Sequence, residues 1–261
     1  MPPGLLHRIR RGAEPWLGLV LCGVLWDVAL GLTQVRWLPR PAQVLLGVGE
    51  LLHRGVLFKH IIASLFRVTW GFLLAVGVAL PVGFLLGWSG RASRALAPYV
   101  HLLRPISPLA WLPLSILWWG VGDLSSVFII FIASAPPLTL AAMNAVRHVP
   151  AVYVNAGRNF GLSTPRLFLR ILLPAALPEL LSGMRLTLGI SWLVVVAAEM
   201  LAVNSGLGYL IVDSRNAGNR YDLVVAGMLF IGLTGLALDQ VMARGARQLL
   251  SRRELLGAEE P

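Results

Sequence analysis

The chain has 261 residues, 57% of them hydrophobic and 13% charged, with a formal net charge of +10 and a mean hydropathy of +0.75. A soluble domain carries about 25% charged residues, and a globule of this length has too much surface to cover with so few polar groups. The composition therefore excludes a soluble enzyme, a disordered tail and a disulfide-stapled secreted domain, Cys22 being the single cysteine.

What remains is an all-α integral membrane protein. Of its 22 basic residues all but Lys59 are arginine, dispersed in short groups between apolar runs. That dispersal suits charges that set topology rather than a phosphate-binding face, so no nucleic-acid partner is expected. About 20 apolar residues are needed to cross the hydrocarbon core, and six stretches meet the requirement.

Residues 1–15, with Arg8, Arg10 and Arg11, read as a cytoplasmic N-terminus. The first span, Trp16–Leu32, exceeds the apolar core of a signal peptide and reads as a retained helix. From Pro41 to Arg54, Val44, Leu45, Val48, Leu51 and Leu52 recur at helical spacing and Gly55 is placed to cap the end, which predicts a helix along the membrane surface. The second span, Ile61–Trp88, carries Gly71, Gly77, Gly83 and Gly87, residues that permit close helix approach.

The third span, Leu96–Gly120, contains Pro105, Pro108 and Pro113, and the fourth, Leu124–Ala142, contains Pro136 and Pro137. These prolines predict kinks, tolerated where neighbours or a water-filled cavity satisfy the freed backbone. The fifth span is Leu177–Ala202, with Gly183 and Gly189, and the sixth is Leu223–Met242, followed by a cytoplasmic tail over 246–261. Thirteen basic residues then fall on the N-terminal side of the membrane against six on the other, which supports both ends inside. The spans form one domain over 16–245.

The loop over 143–176, about 34 residues long, is too long for a plain connector. Val149-Pro150 ends what precedes, and Val152, Ala156 and Phe160 share a helix face. Gly161 is placed to terminate that helix. Thr164 then reads as an N-cap with Pro165 in the first turn, and Pro174 breaks the pattern before the fifth span. A short helix pair with an exposed apolar face and flanking arginines could dock in a groove on another protein, or pack on its own bundle.

The run Asn155-Ala156-Gly157, three residues, Gly161, nine residues, then Ile171-Leu172-Leu173-Pro174 resembles the EAA loop of ABC importer permeases, E-A-A-x3-G-x9-I-x-L-P, with Asn155 in place of the acid and Gly157 in place of the second alanine. Arg104 to Leu114, continuing through Trp118-Trp119-Gly120, and Ala197-Ala198-Glu199-Met200 with Asn204 to Leu210 are similar to the nitrate, sulfonate and taurine branch of that family. The resemblance implies a type I importer permease fold with six transmembrane helices and a cytoplasmic coupling helix. It implies a coupling role for Asn155, Ala156, Gly157, Gly161, Ile171, Leu173 and Pro174.

It further implies separate ATPase subunits that carry ATP and magnesium, a second permease copy as a homodimer, and an external solute-binding protein. The setting would be the lipid of a bacterial inner membrane. No P-loop surrounds Lys59, which agrees with nucleotide chemistry on a partner and no cofactor on this chain. The implied cargo is a small anion, taurine or another alkanesulfonate first and nitrate next.

Charged groups at membrane depth face the bundle interior or an aqueous path. Glu199 near the outer end of the fifth span, Arg104 and Arg185 near the inner ends of theirs, and Trp111 and Ser115 in the third are the candidates for a translocation path. Arg67 and Asp27 read as interfacial. The competing reading is an ion-coupled secondary transporter with Glu199 as coupling acid, which inverted repeats would favour.

Overall fold

The computed structural model describes residues 18, 20–33 and 38–258, with side chains up to 251. Arg8, Arg10, Arg11 and Arg36, and the start of the predicted first span, lie outside the described residues. In chain order the helices are α1 (Val20–Thr33), α2 (Pro41–His53), α3 (Val56–Trp88), α4 (Gly90–Leu103), α5 (Leu112–Trp119), α6 (Asp123–Arg147), α7 (Ala151–Asn159), α8 (Thr164–Leu167), α9 (Leu173–Ala202), α10 (Leu207–Asn216) and α11 (Tyr221–Ala258). No strand occurs among the described residues.

Among the described residues four helical stretches are long and apolar enough to cross a membrane: Val56–Trp88, Asp123–Arg147, Thr164–Ala202 and Tyr221–Ser251. The third predicted span is not one straight helix. Gly90–Leu103 and Pro108–Trp119 meet at 87° and together count as at most one broken crossing. Pro105 and Pro108 bracket the break. Neither offers an N–H, and Ser107, with ψ 126° ahead of Pro108, takes the extended form that a following proline favours.

The core forms where α3 and α9 pack on α6. Small residues set the distance: a Cβ on Gly71 would lie 2.6 Å from Ile130 Cβ, one on Gly83 2.5 Å from Ala142 Cβ, and one on Gly183 2.6 Å from Ala141 Cβ. Gly77 and Gly189 face open space, so the predicted role in close approach fits only some of the glycines. Ser134 on α6 and Ser191 on α9 join by a 2.7 Å hydrogen bond inside this interface, each hydroxyl also placed against its own helix backbone. The paired prolines of α6 leave it a single span, Asp123–Arg147.

The predicted surface helix is α2, and Gly55 follows it at φ +67°, a left-handed position that glycine takes without strain. Its buried face is narrower than the periodicity indicates: Val44, Gly47 and Leu51 are buried, whereas Leu45 is 69% exposed. Glu50 joins α2 to the start of α11 through Arg220 Nη2 at 2.6 Å and pairs with Arg54 at 2.7 Å. The Arg220 hydrogen bond holds the Glu50 carboxyl below the usual carboxylate range.

A depressed folded-state value means that the contribution is complete above the unfolded pKa, about 4.3, and is lost as pH falls through the folded one. The protection of α2 amides, corrected for the intrinsic pH dependence of exchange, is therefore expected to fall below about pH 4 in the wild type. In Glu50→Gln that protection should already be lower at neutral pH and change little on acidification; an acid response unchanged by the substitution would contradict the assignment.

Candidate functional site

Two constellations stand at opposite ends of the bundle. At one end the chain between α6 and the long helix that begins at Thr164 occupies only 148–163, much less than the predicted 143–176. Hydropathy sees only the apolar part of a helix, and both flanking helices run on past it. Within this connection α7 ends in a Schellman motif. Gly161 sits at φ +73°, its N–H donates to Arg158 O at 2.9 Å, and Leu162 N–H donates to Gly157 O at 3.1 Å.

The next helix starts one residue earlier than predicted, with Ser163 at the cap position and no side-chain cap bond, so Thr164 is already helical. Pro174 does not interrupt the chain. Ahead of it Phe168–Leu172 forms a widened turn, with Leu173 N–H bonded to Phe168 O. A proline supplies no N–H to a carbonyl four residues back, and the one-residue shift lets α8 and α9 continue as one 39-residue helix.

This connection is seated firmly. Gly157 is buried because Ile171 lies over it: a Cβ there would meet Ile171 Cδ1 at 2.5 Å and Leu167 Cδ1 at 3.2 Å. Phe168 packs edge-on against Phe84 of α3, with ring centroids 5.5 Å apart, and His148 Nδ1 lies 2.8 Å from Glu179 Oε1. Ala156 is half-buried, as are Ile171, Leu173 and Pro174, while Asn155 and Gly161 are exposed. Beside polar Asn155, Arg158 and Asn159, α7 and its cap leave three large apolar or aromatic side chains uncovered: Val152 is 73% exposed, Tyr153 56% and Phe160 86%.

At the other end Arg67 of α3, only 2% exposed, makes four hydrogen bonds to three residues. Its Nη1 donates to Glu199 Oε1 at 2.7 Å and to Ser205 O at 2.7 Å, Nη2 to Ser205 Oγ at 2.5 Å, and Nε to Asp123 Oδ1 at 2.7 Å. Glu199 is fully buried, and its Oε2 accepts from Ser64 Oγ at 2.8 Å and Gly208 N–H at 3.0 Å. Ser64 Oγ in turn accepts Leu207 N–H at 2.9 Å, and His60 Nδ1 accepts Gly206 N–H, also at 2.9 Å.

The chain can pass this close only as glycine. Gly206 is at φ +105° against the Glu199 carboxylate, and Val196 O and Glu199 stand where a Cβ on Gly208 would go. The knot thereby ties α3, the first turn of α6, the end of α9 and the start of α10 together.

Arg67 is thus buried inside the bundle, and Asp123, Ser64, Ser205, Gly206 and Gly208 join a site of which sequence reasoning named only Glu199. The available signal was the cost of an arginine and a glutamate at membrane depth; their separation of 132 residues hid the pairing.

The remaining candidates are dispersed. Arg104 is exposed at the C-cap of α4, on the 87° break. Trp111 is half-buried, and Ser115 is fully buried, with its hydroxyl donating to Leu112 O at 2.8 Å and its carbonyl accepting from Ser125 Oγ at 3.0 Å. Arg185 makes a two-pronged ion pair with Asp239 of α11, both bonds 2.5 Å. No cluster of three or more metal-ligating side chains occurs among the described residues.

Residues 79–253 match the family described as the binding-protein-dependent transport system inner membrane component. A putative ABC transporter permease of Methanocaldococcus jannaschii is 41% identical over 207 residues, covering 79% of this chain and 75% of that one. The putative aliphatic sulfonates transport permease SsuC of Bacillus subtilis is 35% identical, covering 91% and 88%. The taurine transport system permease TauC of Escherichia coli is 35% identical, covering 84% and 82%. Among solved structures, a chain of the MetNI methionine ABC transporter in an inward-facing conformation superposes with a TM-score of 0.61 at 20% identity, covering 73% of this chain and 96% of that one. At that identity the likeness concerns the fold alone.

Proposed function

Since the chain belongs to the inner-membrane component family of binding-protein-dependent transport systems, we propose that it is the permease of an ATP-driven importer of a small anion, coupled to separate ATPase subunits through α7. It is a multi-pass inner-membrane transport subunit, not a catalytic one. The observation that carries the coupling role is the face of α7: Val152, Tyr153 and Phe160 are more than half exposed on a helix otherwise locked to the bundle by Gly157. An apolar face held rigidly at the end of a bundle suits insertion into a groove on a partner.

In this reading α7 is cytoplasmic, as are both termini, and α1 and the bent α4–α5 segment complete six crossings. Closure of an ATPase pair, which carries the ATP and magnesium, moves α7. The unbroken helix from Thr164 to Ala202 transmits that movement to the far end, rocking the permease against a second copy. A solute-binding protein delivers the cargo outside. The path runs along the α4–α5 segment and α9, where Arg104, Trp111 and Arg185 are accessible and Ser115 and Glu199 brace the helices from buried positions.

The relatives named for sulfonates and taurine favour an alkanesulfonate-like anion as cargo. An ion-coupled carrier with Glu199 as coupling acid gains no support, because both carboxylate oxygens are committed to Arg67, Ser64 and Gly208.

The test is a cross-link. In a Cys22→Ser background, Phe160→Cys is expected to form an adduct with a soluble ATPase chain in the assembled importer. Arg54→Cys, exposed at the opposite end, should give none. A Phe160→Cys side chain that stays unreacted in a complex containing the ATPase would overturn the docking role.

A further inference from the structure

One concavity of the molecule belongs to neither constellation. A groove of about 660 Å³ opens between α9 and α11 at the α7 end, walled by Leu181, Ser182 and Arg185 on one side and Arg244, Arg247 and Leu250 on the other. Its charges are not balanced. Arg185 is neutralised by Asp239, but Arg247 Nε bonds only Ala243 O of its own helix, at 3.3 Å, and neither Arg244 nor Arg247 has a carboxylate partner among the described residues. No acidic side chain lines the groove.

The same helix faces change character toward the bundle centre. One to three turns further in, α9 presents Leu186 and Leu193, 71% and 72% exposed, and α11 presents Leu236 and Leu233, 53% and 59% exposed. Two guanidinium groups with no carboxylate partner among the described residues, at the level where the spans end and continued by an exposed apolar trough, are the two halves of a phospholipid's complement. A free anion would use only the first half. Arginine meets phosphate oxygens with paired, charge-assisted hydrogen bonds, and basic pockets between helices on the cytoplasmic side hold anionic head groups.

We propose that this groove is a binding site for an anionic phospholipid of the inner leaflet, with its phosphate between Arg244 and Arg247 and its acyl chains along the leucines of α9 and α11. A lipid lodged there joins the moving helix α9 to α11, so anionic lipid content becomes a regulator of the assembled importer.

The experiment uses the assembled importer in detergent, delipidated and then titrated with phosphatidylglycerol, with binding read by native mass spectrometry. The wild type is expected to retain phosphatidylglycerol in preference to phosphatidylcholine. Arg244→Gln/Arg247→Gln should weaken that binding about tenfold to thirtyfold, from the usual worth of two near-surface arginines, and Arg244→Lys/Arg247→Lys should recover part of it. Arg91→Gln/Arg94→Gln, which removes the same charge from α4 at the same end, should bind as the wild type does.

Three results would overturn the proposal. Equal weakening in both glutamine doubles would mean bulk charge alone, and displacement of phosphatidylglycerol by millimolar inorganic phosphate would mean a free-anion site. Loss of the ATPase from Arg244→Gln/Arg247→Gln with lipid binding intact would make the groove a protein-docking surface.

Discussion

Replacing Glu199 with alanine is expected to cost the folded protein about 3 kcal/mol, the lower end of what removal of one member of a buried ion pair costs. The substitution leaves Arg67, 2% exposed, with a positive charge balanced only by Asp123, which is itself 57% exposed. It also strips Gly208 N–H and the Ser64 hydroxyl of the acceptor they share, and each buried group left unsatisfied costs about 1–3 kcal/mol. Asp123 and the Ser205 carbonyl continue to hold the guanidinium, which is why the lower figure applies.

Glu199→Gln keeps the acceptor oxygen and should lose less. The decisive measurement is a double-mutant cycle with Arg67→Met, read as unfolding in detergent. Removing both charges is expected to be milder than the sum of the two single losses, because neither is then left buried alone. Strict additivity would show that the two groups do not depend on each other.

Gly161→Pro is expected to abolish ATP-driven uptake, at least a tenfold fall, while the bundle remains inserted and folded. Proline is confined to φ near −65° and cannot enter a position held at +73°. It also removes the N–H that donates to Arg158 O at 2.9 Å. The damage is confined to the end of α7, since α6 and the helix from Thr164 pack on each other and on α3 independently of that turn. Gly161→Asn discriminates a backbone effect from a general intolerance: asparagine visits the left-handed region far more readily than other residues, and it should retain most of the uptake. Wild-type uptake by the proline variant would deny the turn any part in coupling.

The mutational logic differs at the two ends because their legibility differs. The α7 segment could be read to within a residue, since helix termination at Gly161 and restart at Thr164 are local events decided within a few residues. Its seating could not, because the burial of Gly157 under Ile171 depends on where the following helix turns back. The widened turn at Phe168–Leu172 likewise follows from Pro174 only once the helix is known to continue.

In the far knot, the sequence showed a costly arginine in one span and a costly glutamate in another. It did not show that small residues at Gly71 and Gly83, and Ser134 meeting Ser191, bring three helices close enough to pair them. The third span was legible only in part: its three prolines indicate a kink, yet the size of the bend, 87°, depends on what the two halves pack against.

By itself, then, the order of residues determined that this chain is a helical membrane bundle, roughly where its apolar spans and the short helix α2 lie, and that one loop carries a hinged helix pair. These are consequences of hydropathy, capping and backbone freedom, which act over a few residues. Only the tertiary structure decided which buried charges neutralise one another, which glycines are contact points, and where arginines in a groove meet no carboxylate among the described residues. Those outcomes depend on distances between segments far apart in the chain, set by how closely the helices pack.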